Sequence, residues 1–143
     1  MYKYTATYED FDGNVRTEDL YFNLSKSEMV LLDNSVPGGL GNRLDRITKA
    51  ADNVEIMESF LWILRKTYGI KSEDGRRFIK NDQIFDEFMQ SAAFDEFFTK
   101  LTTEEDFAAN FIRSVIPQMT DKEWNEIDRK ANLIKMQQDR LTD

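Results

Sequence analysis

The residues of this chain that could do chemistry are mainly carboxylates, because the sequence contains neither histidine nor cysteine. The chain therefore lacks the commonest general base, the commonest zinc ligand, any thiolate nucleophile and any disulfide. Adjacent acidic pairs at 86–87, 95–96 and 104–105 could in principle act as glycosidase or metal carboxylates. Neighbouring residues on a helix point about 100° apart, so these pairs do not converge on one site. We predict no enzyme activity, no catalytic residues, no cofactor and no metal.

Glycine-containing stretches suggest two further kinds of site. VPGGLGN at 36–42 could be a phosphate loop, but no Lys-Ser/Thr follows it, and the third glycine of a dinucleotide fingerprint is missing. A calcium loop with Gly13 at its sixth position would put Tyr8 at the first ligand position, and one with Gly75 there would put Ile70 at the first position. Neither side chain suits calcium, so we expect no calcium loop. Because 36–42 also lacks the phosphate-loop residues, we expect it to be a loop between helices.

The stretch YGIKSEDGRRFIKN at 68–81 interrupts the helical pattern. Its two arginines stand beside Glu73 and Asp74, which largely cancel their charge, so an anion site is not favoured. Ser-Glu-Asp-Gly is typical of a turn in which Gly75 adopts a positive φ. We interpret the stretch as a joint between two helices, with Gly69 as a left-handed helix terminus.

The overall charge limits the class of partner. The chain of 143 residues has 27 acidic and 19 basic residues and a net charge of −8. This sign disfavours nucleic-acid binding, which needs a basic face, and suits a basic or apolar partner. The longest apolar run, FLWIL at 60–64, is too short for a membrane span, and the start lacks a signal-peptide pattern. We expect a cytoplasmic protein.

Hydrophobic periodicity predicts one hairpin followed by helices. Residues 2–9 alternate with a period of two, and an Asp-Gly turn follows, which predicts a β-hairpin over 2–23. Beyond it, capping residues and apolar residues spaced by three and four predict successive helices, including a capping box at 25–28 and a helix capped by Asn81. The predicted fold class is mainly α, a helical bundle with an N-terminal β-hairpin.

The end of the chain forms a separate element in this interpretation. We predict a single helical domain over 1–117 that includes the hairpin, and a C-terminal amphipathic helix over 118–143. Its apolar stripe is the candidate partner-binding site: Trp124, Ile127, Ala131, Ile134 and Leu141. Two alternatives remain open: this helix packs on its own domain, or it docks onto a partner.

Several stretches resemble one family of proteins. They are YGIKSEDGRRFIK, DEFMQSAAFDEFFTKL and FAANFIRSVIP, together with YEDFDGNVRTEDLYFNLSKSE near the start and GGLGNRLDRI after it. As strings they resemble the tail assembly chaperones of long-tailed phages and prophages, especially those of Gram-positive hosts. The resemblance covers residues 2–117 and contains no catalytic signature.

The resemblance implies a function for the chain. Such chaperones bind the tape measure protein in the host cytoplasm, keep it soluble until the tail tube polymerises around it, and are absent from the mature virion. It also implies a possible longer frameshift product and a possible homo-oligomer, and an exposed hairpin edge could join copies into an array. The alternatives are an acidic inhibitor or regulator that mimics nucleic acid, and a structural virion component.

Overall fold

The computed structural model describes residues 1–35 and 54–116. The chain divides into two compact units, one formed by residues 1–24 and 47–116 and the other by residues 25–46 and 117–143. Each unit is described by itself below. The loop predicted at 36–42 and the C-terminal helix predicted at 118–143 lie outside the described residues.

The described part of the chain contains four strands and five helices. In order they are β1 Tyr2–Glu9, β2 Val15–Phe22, α1 Lys26–Ser35, α2 Val54–Thr67, β3 Tyr68–Lys71, β4 Phe78–Ile79, α3 Asp82–Met89, α4 Ala92–Thr103 and α5 Glu105–Val115. Among the described residues, the strands form one antiparallel sheet in the order β1-β2-β3-β4.

The predicted fold class is wrong, because this protein is an α+β fold and not mainly α. The hairpin predicted over 2–23 is present as β1 and β2, but two further strands extend its sheet. Both come from the stretch 68–81, which joins two helices, α2 and α3, as predicted, but does so as a pair of strands. β3 pairs with β2 through Tyr21–Gly69 and Phe22–Tyr68, a contact between segments far apart in sequence. Such pairing can override local preference, which is why periodicity did not reveal it.

Gly69 is the residue at which β4 approaches β3 most closely among the described glycines. It lies within β3, and among the described residues the glycines with positive φ are Gly13 and Gly75. A Cβ on Gly69 would lie 2.7 Å from the carbonyl oxygen of Ile79 and equally close to the Phe78 ring. Glycine is therefore needed here for the close approach of β4, and not for a left-handed helix terminus.

The turn between β3 and β4 matches its prediction. Gly75 has a φ of 71°, and its amide donates to the carbonyl of Ser72 at 2.9 Å. The Ser72 hydroxyl donates to Asp74, and the amide of Arg76 donates to the same carboxylate. These bonds close a tight loop, so the two strands can pair.

The core of the first unit is built from aromatic rings between the sheet and the helices. Phe22 is fully buried, and its ring stacks on Phe97 of α4 at 4.8 Å and meets Phe111 of α5 edge-on at 5.2 Å. Tyr2 contacts Phe111 at 5.1 Å, and Tyr4 contacts Phe97 at 5.2 Å. The period-two alternation of β1 thus places these rings on the face that the helices cover.

The predicted helix caps are present in both units. In the second unit, the Glu28 amide donates to the Ser25 hydroxyl and the Ser25 amide donates to the Glu28 carboxylate, which completes the capping box. In the first unit, the predicted cap Asn81 accepts from the amide of Ile84, and Ser91, in addition to the predicted caps, accepts from that of Phe94. Each cap satisfies amides that the first helical turn leaves without a partner.

Candidate interaction surface

The apolar stripe predicted as the partner-binding site, Trp124, Ile127, Ala131, Ile134 and Leu141, lies outside the described residues. Its role therefore stays a prediction. The described residues offer a different candidate surface, which is formed by the outer face, the open edge and the tip of the β1–β2 hairpin.

The outer face of the hairpin is polar and rich in threonine. The Thr5 hydroxyl donates to Asp19 at 2.7 Å across the strands, and the Thr7 and Thr17 hydroxyls lie 3.3 Å apart. Near the base of the hairpin, the Lys71 ammonium lies 4.2 Å from the centre of the Tyr21 ring. These side chains pair with one another across the strands, as expected for a face exposed to water.

The edge of β1 opposite β2 is the second part of this surface. All eight residues of β1 are in continuous register with β2, from Tyr2–Phe22 to Glu9–Val15. No described residue pairs with the other edge of β1. Because alternate backbone groups of a strand point to each side, this edge presents amide and carbonyl groups that can bind another strand.

The tip of the hairpin combines a polar turn with two exposed apolar side chains. The Asp10 carboxylate accepts from the amides of Asp12 and Asn14 and pairs with the Arg16 guanidinium. Hydrogen bonding from Arg16, reinforced by these amides, lowers the pKa of Asp10 below its usual value. Phe11 is 85% exposed and Val15 is 75% exposed. The turn is thus held by polar contacts, while the two apolar side chains are exposed to solvent.

Two tyrosines of β1 mark the change from the packed base to the open tip. The Tyr4 hydroxyl donates to Glu96 of α4 at 2.9 Å, and burial, reinforced by this bond, raises the pKa of Tyr4 to about 12. The other oxygen of Glu96 is buried without a hydrogen-bond partner among the described residues. The Tyr8 hydroxyl instead donates to Glu18 within the hairpin at 2.6 Å, and this bond raises the pKa of Tyr8.

A second polar cluster connects helices and has a structural role. Arg65 of α2 bridges Asp82 at 3.0 Å and Asp86 at 3.2 Å, and its guanidinium lies 4.6 Å from the centre of the Phe85 ring. Lys80 donates to the carbonyls of Asn23 and Lys66, at the ends of β2 and α2. These contacts hold α2, α3 and the sheet together, and nothing in them points to catalysis.

Sequence reasoning did not identify Phe11 and Val15 as surface residues. Both lie within the hairpin predicted over 2–23, but that prediction does not state whether they are exposed. The signal was present, since an aromatic residue beside an Asp-Gly turn is far from the alternating apolar positions that build the core. Other exposed apolar residues of the described chain are Met1, Leu31, Met57, Ile70 and Met89.

The hairpin surface has features suited to protein–protein recognition. Among the described residues, no group of three or more carboxylates could hold a metal ion. No helix in the ranges 1–35 and 54–116 is long and apolar enough to cross a membrane. The hairpin instead offers backbone hydrogen bonds at its edge and apolar contacts at its tip, which are the means of protein–protein recognition.

Comparison with known proteins agrees with this interpretation. The chain matches the phage tail assembly chaperone family over residues 1–142. No match was found among curated proteins or among solved structures. The match includes residues 2–117, which carry the resemblance described above, and continues through most of the stretch 118–143. Since nearly the whole chain is covered, this protein belongs to the phage tail assembly chaperone family.

Proposed function

We propose that this protein binds the tape measure protein of its phage and keeps it soluble until the tail tube polymerises around it. The observation that carries the proposal is the family match over residues 1–142. It follows that the protein acts in the cytoplasm of the bacterial host and is absent from the mature virion.

Exposed apolar side chains in each unit, taken by itself, support a role in binding apolar helical segments. In the first unit, Phe11 and Val15 each expose more than two thirds of their surface, and Met57 and Met89 are partly exposed. In the second unit, Leu31 is exposed. Methionine adapts to apolar surfaces of varied shape, which suits a partner that presents many similar segments. The net charge of −8 would keep the complex in solution while apolar patches of the partner are covered.

The stripe of Trp124, Ile127, Ala131, Ile134 and Leu141 is our proposed contact with the tape measure protein. A helix that follows Pro117 and carries apolar residues at spacings of three and four can dock into a groove or along another helix. Tryptophan is enriched at the centres of interfaces, because its large ring buries much apolar surface.

Co-expression tests the proposal. The tape measure protein encoded beside this chain should be insoluble when expressed alone and should become soluble and co-elute when this chain is present. A tape measure protein whose solubility does not change, with no co-elution, would contradict the proposal. Mass spectrometry of purified particles separates a chaperone, which should be missing, from a structural component of the virion.

Variants then test the proposed stripe. Trp124→Asp with Ile134→Asp should abolish co-elution, since two charges would be buried at the contact. Asn125→Asp with Asn132→Asp adds the same charge at positions that a helix places opposite the stripe, and should leave co-elution unchanged. Equal loss in both variants, or in neither, would place the contact elsewhere.

A further inference from the structure

Among the described residues, the edge of β1 carries two outward-pointing charges, Lys3 and Glu9, but lacks the other features that usually protect an edge strand. Natural edges are often short, or contain proline, a bulge or an inward-pointing charge. β1 is eight residues long, contains neither proline nor glycine, and pairs with β2 without a bulge. Its inward-facing residues are Tyr2, Tyr4, Ala6 and Tyr8, all without charge. A long edge of this kind can accept another strand.

The sequence of β1 is complementary to itself about Ala6. Thr5 and Thr7 stand one position away from Ala6, Tyr4 and Tyr8 two positions away, and Lys3 and Glu9 three positions away. An antiparallel pair of β1 strands with Ala6 opposite Ala6 would therefore place threonine opposite threonine and tyrosine opposite tyrosine. Lysine would lie opposite glutamate at both ends.

We propose that β1 of one copy pairs antiparallel with β1 of a second copy in this register, with a two-fold axis at Ala6. The two sheets would join into one continuous sheet. The open edge of β1 is consumed by the pair, and β4, which ends the sheet on the other side, is two residues long. The result is a closed dimer, as expected for a two-fold interface.

The faces of the two sheets agree in this register. Residues directly opposite each other in an antiparallel pair project to the same face. Tyr4 would meet Tyr8 of the second copy on the face that the helices cover, and Thr5 would meet Thr7 on the outer, exposed face. A shift by one residue would place the tyrosines opposite the exposed threonines, which would turn an apolar row towards water.

Charge favours this register over the next one that keeps the faces matched. With Thr5 opposite Thr5, Lys3 would face Thr7. Neither Lys3 nor Glu9 would then face an oppositely charged side chain. With Ala6 opposite Ala6, two Lys3–Glu9 pairs form, and both side chains are exposed within one copy. Opposite charges facing each other across strands stabilise the pair, and like charges weaken it. The occupant that fits this edge is therefore a second copy of the same chain.

Charge reversal gives the first test, with the dissociation constant measured by sedimentation equilibrium on the full chain. Lys3→Glu and Glu9→Lys should each weaken the dimer on the order of tenfold, because two attractive pairs become repulsive. Mixing the two variants should restore wild-type affinity, since the introduced glutamate of one chain would face the introduced lysine of the other. Arg76→Glu and Glu73→Lys, on the exposed turn between β3 and β4, carry the same changes in charge and should have no effect.

Cysteine cross-linking tests the register directly, and the chain has no cysteine of its own to interfere. A chain with Thr5→Cys mixed with a chain with Thr7→Cys should form a mixed disulfide under mild oxidation. Each variant oxidised by itself should cross-link far less. In the proposed register residue 5 does not face residue 5 of the other copy, nor residue 7 residue 7; these pairs would face each other only in other registers.

These outcomes decide the proposal without reference to the tape measure protein. A chain that stays monomeric over the whole concentration range overturns the proposal. This result is expected if another segment of the chain covers the edge of β1. A dimer that is insensitive to both charge reversals, or that cross-links best through Thr5→Cys by itself, overturns the register. A dimer that responds to the reversals, recovers on mixing and forms the mixed disulfide establishes it.

Discussion

The two ends of the β1–β2 hairpin have the same alternation in sequence but different surroundings. At the base, Phe22 is buried under rings from α4 and α5, and Tyr4 bonds to Glu96 of α4. At the tip, Asp10 and Arg16 hold the turn by polar contacts, while Phe11 is exposed. Stability should therefore depend on the base, whereas no described residue pairs with the free edge of β1 and the tip is exposed.

The largest difference is expected between two phenylalanines. Phe22→Ala removes a fully buried ring and should lower the free energy of unfolding by about 3–5 kcal/mol. Phe11→Ala, at the exposed tip, should change it by less than about 0.5 kcal/mol. Urea denaturation followed by circular dichroism measures both values. Equal losses would show that the tip is also packed in solution.

Two glycines are needed for different reasons: Gly69 at the base because a side chain would clash with β4, and Gly13 at the tip because of its positive φ. Gly69→Ala would force a Cβ to within 2.7 Å of the Ile79 carbonyl, which should cost about 1–3 kcal/mol as β4 is displaced. At Gly13 the nearest atom would be 3.7 Å away, so Gly13→Ala should cost about 1 kcal/mol through its φ of 83°. The same denaturation curves measure both, and a neutral Gly69→Ala would contradict the close approach of β4.

Two tyrosine hydroxyls should also differ in their contribution to stability. Tyr4→Phe removes the hydrogen bond to Glu96 and leaves that carboxylate without its tyrosine partner, a loss of about 1–2 kcal/mol. Tyr8→Phe breaks an exposed bond to Glu18 and should cost less than about 0.5 kcal/mol. Thermal unfolding of both variants against wild type measures the difference. The reverse order would contradict the burial of the Tyr4–Glu96 pair.

Alkaline pH should weaken the base of the hairpin. The pKa of Tyr4 is raised from 10.0 to about 12 in the folded chain, mainly by burial. Between these values the unfolded chain binds fewer protons than the folded one, so the free energy of unfolding falls as the pH rises from 10 towards 12. Tyr68, raised to about 12 chiefly by burial, adds to this fall. Across this pH range, the free energy of unfolding should fall less steeply with pH in Tyr4→Phe than in wild type. An unchanged dependence on pH would contradict the raised pKa of Tyr4.

The smallest effect is expected at the tip and at acid pH. Because Arg16 and backbone amides lower the pKa of Asp10, the folded chain keeps this carboxylate ionised below its usual value of 3.8. The stabilisation is present above that value and is lost as the pH falls through the folded pKa. Arg16→Gln should raise the pKa of Asp10 in a nuclear magnetic resonance titration, with little change in global stability. An unchanged pKa would contradict the contact.

Local patterns predicted the parts of the fold that depend on neighbours in sequence. The alternation of residues 2–9 with the Asp-Gly turn predicted the hairpin, and Ser25 and Asn81 predicted helix starts, because a capping side chain acts within three residues. The pairing of β3 with β2 could not be predicted in this way. It depends on a ladder between Phe22 and Tyr68, and on Gly69 admitting β4, which no local pattern encodes.

The sequence by itself determined that this protein has no histidine or cysteine chemistry, that it begins with a hairpin, and that it resembles the phage tail assembly chaperones. The tertiary structure decided that further strands extend the β2 edge of the hairpin, while no residue in 1–35 or 54–116 pairs with the β1 edge. It also decided that Phe22 is buried while Phe11 is exposed. The physical reason is that hydrophobicity states only what a side chain gains by burial, whereas the chain segments that meet it in space determine whether it is buried.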